Sequence, residues 1–159
     1  MVIEWDVTLP ALTGKRTRKA YIYLPDCYEK DDISRYPVLY MFDGQNIWDK
    51  ETLPWKGWKV ETSLEKLVKA KKIKPCIIVG ISNNSKRTRE YAGWCNALPP
   101  GELITNPELF KQHAKEHRLM IVEELIPFVE SKYRTITDRA TVHSCQLILP
   151  LNILMYSVV

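Results

Sequence analysis

Glycine is scarce in this chain, 6 of 159 residues, and none lies beyond Gly101. The segment after it holds no turn that needs glycine at a strained or tightly packed position. Cysteine is also sparse: Cys27, Cys76, Cys95 and Cys145 form no C-x-x-C pair, which argues against a disulfide scaffold and for a reduced, cytoplasmic setting. Cys76 sits in an apolar run and reads as a small core residue. A nucleic-acid reader would show a basic stripe interleaved with aromatics. Here the net charge of +4 is scattered, apart from Lys69, Lys71, Lys72 and Lys74 at a predicted helix C-terminus, where cations favour the dipole. The opening MVIEWDVTLP carries acidic residues inside its first apolar stretch, which a secretory signal does not. No apolar run reaches the roughly 20 residues of a membrane span, and the most apolar, LILPLNILMYSVV, is interrupted by Pro150 and Asn152. Repeats, linkers and low-complexity segments are missing too. The apolar share of 45% and charged share of 26% are those of a folded protein, and the length suits a single domain over residues 1–159.

Strand and helix signals alternate along the chain. Val2–Leu9 and Lys19–Leu24 alternate apolar with polar residues and predict two early strands joined by a turn at Thr13, Gly14 and Lys15. Tyr36–Phe42 and Pro75–Ile81 are continuous apolar runs, as expected of strands covered on both faces. Between them Val60, Leu64, Leu67 and Val68 fall on one helical face of a helix predicted over 58–72. Asn106 and Pro107 supply a helix start, and that helix is expected to run toward Tyr133 with a kink or break at Pro127. This order predicts an α/β fold: a mostly parallel sheet with helices on its faces.

In such sheets ligands bind beyond the carboxyl ends of the strands. Asp43-Gly44-Gln45-Asn46 is a loop of that kind. A glycine there lets the backbone take an unusual turn and present the next N–H outward, as oxyanion stabilisation requires. Asp-Gly is equally common as plain turn chemistry.

Several stretches resemble, in order and spacing, the putative-esterase family of α/β-hydrolases. They are YIYLP (Tyr21–Pro25) with Tyr28, YPVLYMFDGQN (Tyr36–Asn46), Trp58 with the helix to Leu67, PCIIVGIS (Pro75–Ser82), RTREY (Arg87–Tyr91) and EELIPFVESKYRT (Glu123–Thr135). The family includes feruloyl esterases, enterochelin esterases, S-formylglutathione hydrolases and the related mycolyltransferases. The resemblance covers residues 1–139 and leaves 140–159 as a divergent apolar tail. It implies a three-layer α/β-hydrolase-type sheet, C-terminally truncated here, and a carboxylic ester hydrolase acting by serine acyl transfer. A small-molecule ester substrate and no metal or organic cofactor are implied with it. Carried over, Gln45 would give its backbone N–H to an oxyanion hole. Gly44, Asn46, Trp48, Arg87, Glu90 and Tyr91 would line the substrate side.

The other half of that machinery is not found. The family's serine sits in G-x-S-x-G on a strand-to-helix turn, with an acid and a histidine after it. The chain instead continues ATVHSCQLILPLNILMYSVV. Ser144 is the nearest candidate nucleophile, but its neighbour His143 would point to the opposite face of an extended strand. Either an early end or a frame shifted after about Val142 would give this ending, and the expected activity is impaired or nil. The alternative from another class is a non-catalytic module that binds an ester-like ligand or a protein partner in the same cleft. A third reading takes His113-Ala114-Lys115-Glu116-His117 as the zinc pattern H-x-x-E-H. Its third ligand would have to come from Glu123, Glu124, Glu130 or Asp138, and Lys115 and Arg118 suit a solvated face instead. The apolar tail predicts an uncovered edge strand and self-association through it.

Overall fold

The computed structural model describes residues 1–8, 17–30, 32–48, 57–85, 87–91, 115–138, 142–148 and 152–157. The two alternating segments at the start form a hairpin. Strands β1 (Val2–Thr8) and β2 (Thr17–Tyr23) pair antiparallel, with Val2 opposite Tyr23 and Thr8 opposite Thr17. The predicted turn at Thr13–Lys15 lies outside the described residues. β2 is flanked on its other side by a further strand, so Ala20, Tyr21, Ile22 and Tyr23 are all buried. The amphipathic pattern of KAYIYL is met by tyrosines on one face and aliphatics on the other, both packed.

The continuous apolar runs become the centre of the sheet. Strands β3 (Val38–Phe42) and β4 (Ile77–Ile81) are parallel neighbours, Val38 opposite Ile77 and Phe42 opposite Ile81. Strand β5 (Val142–Ile148) lies parallel on the other side of β3, and β6 (Asn152–Ser157) closes the far edge antiparallel to β5. The order is β1-β2-β4-β3-β5-β6. The sheet is therefore mixed, with parallel pairing confined to its three central strands. The apolar tail supplies two strands, and β5 is an inner one.

Helix α1 (Val60–Lys69) connects β3 to β4 and buries Leu64 against one face, with Tyr21, Tyr23, Met41, Ile47, Trp48 and Ile78. Burial of such a leucine contributes about 1.5–3 kcal/mol. At the end of α1 the N–H groups of Lys71 and Lys72 donate to the carbonyls of Val68 and Leu67, with Lys71 left-handed at φ 56°. This is a Schellman-type cap built without glycine. Cys76 packs beside this cluster, and burial pushes its thiol up to about 11, so it stays protonated.

The other face carries Ile22, Tyr40, Val79 and Ile81 beneath Met120, Leu125 and Val129. These last residues belong to helix at 115–120, a π-helical stretch Ile121–Leu125, and helix α3 (Ile126–Lys132), preceded in chain order by α2 (Arg87–Tyr91). Pro127 does not end the helix. The N–H of Ile126 reaches back five residues to the carbonyl of Ile121, and this wider turn accommodates a ring that would clash in a regular α-turn. The helix start at Asn106 and Pro107 lies outside the described residues. After α3, Tyr36 bridges Thr135 and locks the entry to β3. No helix among the described residues is long and apolar enough to cross a membrane.

Candidate active site

β3 ends at a buried carboxylate. Asp43 is 1% exposed and holds the left-handed conformation, φ 56° and ψ 43°, a region that Asp tolerates better than most residues. A short 3-10 turn, Gly44–Asn46, follows at once, closed by the Asn46 N–H donating to the Asp43 carbonyl at 2.8 Å. In such a turn the first N–H groups have no partner within the helix. Among the described residues none accepts from the Gln45 N–H.

Gly44 is needed, but not for the reason its sequence context suggests. The unusual φ belongs to Asp43, and Gly44 is not among the positive-φ residues. A Cβ on Gly44 would stand 2.6 Å from the carbonyl carbon of Gly80 and 2.7 Å from the amide nitrogen of Ile81. The glycine lets the loop lie directly on β4.

An ionised carboxylate out of water requires partners, and among the described residues three donor groups reach Asp43. Arg87 donates from Nε to Oδ1 at 2.8 Å and from Nη2 to Oδ2 at 2.5 Å, and Asn83 Nδ2 donates to Oδ1 at 2.6 Å. The Asn83 N–H then donates to the side-chain oxygen of Gln45 at 3.1 Å. Asp43 holds the Arg87 guanidinium above its ordinary pKa, chiefly through that hydrogen bond. The segment after β4 and helix α2 thus grip the loop after β3.

RTREY is a helix whose far end is core. Glu90 accepts two hydrogen bonds from Arg18 of β2, Nη1 to Oε2 at 3.0 Å and Nη2 to Oε1 at 2.8 Å, and its side chain is 0% exposed. Tyr91 is buried against Phe42 and His117, and burial raises its hydroxyl far above the ordinary range. Trp48 is buried below the loop against Tyr21. Of the residues expected to line the substrate side, Glu90, Tyr91 and Trp48 are buried among these partners. Gln45, Asn46 and Arg87 are half-exposed, and Gly44 is buried between them and β4. Ser144 and His143 are consecutive residues inside β5, level with Tyr40 and Leu39 of β3. Ser144 therefore stands within a strand that continues to Ile148, not on a turn after it.

His117, one member of the H-x-x-E-H pattern, is buried with its ring centroid 4.9 Å from Phe42 and 5.4 Å from Tyr91, and among the described residues its Nε2 has no hydrogen-bond partner. His113 lies outside the described residues, and among those described no three metal-ligating side chains come together. Burial lowers the His117 pKa to about 4, while Glu90 pulls it up and Arg18 pulls it down. Below pH 6.5 the unfolded chain takes a proton that the folded chain refuses. The stability contributed by neutral burial is therefore complete above about pH 6.5 and lost as pH falls to about 4, a change of up to about 3 kcal/mol. We expect urea midpoints of the wild type to fall more steeply between pH 7 and 4.5 than those of His117→Leu. Equal slopes would remove His117 from the acid response.

Sequence reasoning missed Asn83, Arg18 and the carboxylate of Asp43. An aspartate that closes a buried apolar run is itself a signal of a hidden cation, but nothing local says which one.

The family model described as putative esterase matches residues 12–144. Among solved structures the chain is similar to an IroE-like serine hydrolase from Shewanella oneidensis, at 26% identity and a TM-score of 0.63 over 85% of this chain and 40% of that one. A ferulic acid esterase from Anaeromyces mucronatus shares the fold at 20% identity and a TM-score of 0.61, over 92% of this chain and 48% of that one. An enterobactin esterase from Shigella flexneri does so at 16% identity and a TM-score of 0.58, over 89% of this chain and 29% of that one. The chain thus spans about half or less of the length of these structures. A match over most of the sequence, joined to the same sheet and helices, establishes that the chain belongs to the putative esterase family.

Proposed function

We propose that this chain binds a small carboxylic ester with the carbonyl oxygen at the Gln45 N–H, and that it carries the oxyanion-donating part of a serine acyl-transfer hydrolase. The observation behind this reading is the Gln45 N–H, which none of the described residues accepts from, in a loop braced from below. As a serine adds to an ester carbonyl, negative charge gathers on the oxygen, and a fixed backbone dipole meets it without rearranging. One such donor is worth about 10²–10³ in rate. The family's second donor comes from the residue after the nucleophile, and with no G-x-S-x-G in the sequence neither that donor nor a base is assigned. This polypeptide alone therefore binds an ester with little or no turnover. An aryl ester is the first ligand to try, since a structural relative is a ferulic acid esterase.

The test combines intact mass after a fluorophosphonate probe, with Ser144→Ala beside it, and titration with methyl ferulate. Saturable binding with no adduct supports the reading. A single adduct lost in Ser144→Ala would instead reveal a working serine in β5. Neither adduct nor binding would remove the ester site.

A further inference from the structure

Helix α2 is five residues long, yet it carries an ion pair at each end, Arg87 to Asp43 in the loop after β3 and Glu90 to Arg18 in β2. We infer that Arg87 and Asp43 are positioning residues that hold the left-handed turn and so aim the Gln45 N–H. The assignment rests on the reading of Gln45 as an oxyanion donor.

The left-handed region crowds Cβ against the chain, so even Asp, which tolerates it better than most residues, holds it at some cost. Its side chain is what can hold it there. Arg87 presents a rigid two-pronged donor matched to both carboxylate oxygens, an arrangement a lysine cannot reproduce. Asn83 couples the same carboxylate to the side chain of Gln45. If Asp43 relaxed to an ordinary conformation, every following atom would swing, including the peptide that carries the Gln45 N–H. Two of the Arg87 donor groups are committed to Asp43, and its side chain is 27% exposed. Its charge is thus already matched inside the protein, so a structural brace fits better than a substrate anchor.

The experiment is amide hydrogen exchange by NMR on the full chain, read at Asn46, whose N–H donates to the Asp43 carbonyl. Arg87→Met and Asp43→Asn should each speed exchange at Asn46 by at least about tenfold, as expected for loss of a charge-assisted pair. Amides of β3 and β4 should stay within about twofold, since the opening is local. The double variant should be no faster than either single one, because both break the same pair. Arg87→Lys, which keeps the charge and loses the fork, should restore part of the protection. Unchanged Asn46 exchange in Arg87→Met would overturn the assignment, as would β3 and β4 opening to the same degree. Methyl ferulate titration of the same samples separates the two readings. Faster exchange with weaker binding supports both. Faster exchange with unaltered binding keeps the brace and discards Gln45 as the carbonyl contact.

Discussion

Glu90→Gln is expected to destabilise the fold by about 3–5 kcal/mol, the usual cost of breaking a buried ion pair from one side. Glutamine keeps the shape of glutamate and removes only its charge. Arg18 then stays buried, 4% exposed in its side chain, with no counter-ion at 2.8–3.0 Å. The guanidinium cannot lose its proton to escape. The pair as a whole is worth far less, because both ions lost their hydration on folding. Arg18→Met with Glu90→Leu together should therefore lie within about 1 kcal/mol of the wild type or above it. Urea unfolding of the three chains measures this. A Glu90→Gln midpoint equal to that of the wild type would mean that water reaches the guanidinium.

Gly44→Ala carries the second large effect, about 3 kcal/mol, at the upper end of what overpacking costs. The new methyl would meet three backbone atoms of Gly80 and Ile81 between 2.6 and 2.8 Å. Backbone cannot turn aside as a side chain does, and β4 is fixed between β2 and β3. Gly80→Ala should cost less. Its nearest contact, also 2.6 Å, is the terminal methyl of Ile47, which can rotate away, and the next is the Gly44 Cα at 3.0 Å. Thermal unfolding of both variants tests the ranking, and the reverse order would show that the loop lifts off the strand easily.

The central strands were legible because burial on both faces leaves a mark in the sequence: VLYMF and IIVGI are unbroken. Helix α1 was legible from Leu64 and its neighbours at helical spacing. RTREY was harder. Three of its five residues are charged, which marks no buried face, yet Arg87 and Tyr91 stand one turn apart and the guanidinium lies 5.2 Å from the Tyr91 ring. The ion pairs could not be read at all. Asp43 and Arg87 are 44 residues apart and Arg18 and Glu90 72 apart. Local pattern carries no information across such distances. The glycine at 44 was recognised as necessary, while its cause, contact with a strand 36 residues further on, appears only once the sheet is assembled.

The seat of the Gly44 loop is assembled from pieces that do not adjoin in the chain. The glycine at 44, the glycine at 80 and the arginine at 87 each make sense only in the company of the others. A graft that imports the Asp43–Asn46 segment from a relative succeeds only if the recipient strand is bare at 80 and a forked cation waits at 87. These three positions therefore have to be moved together for the loop to keep its seat, because the contact and the ion pair that hold it are shared between them.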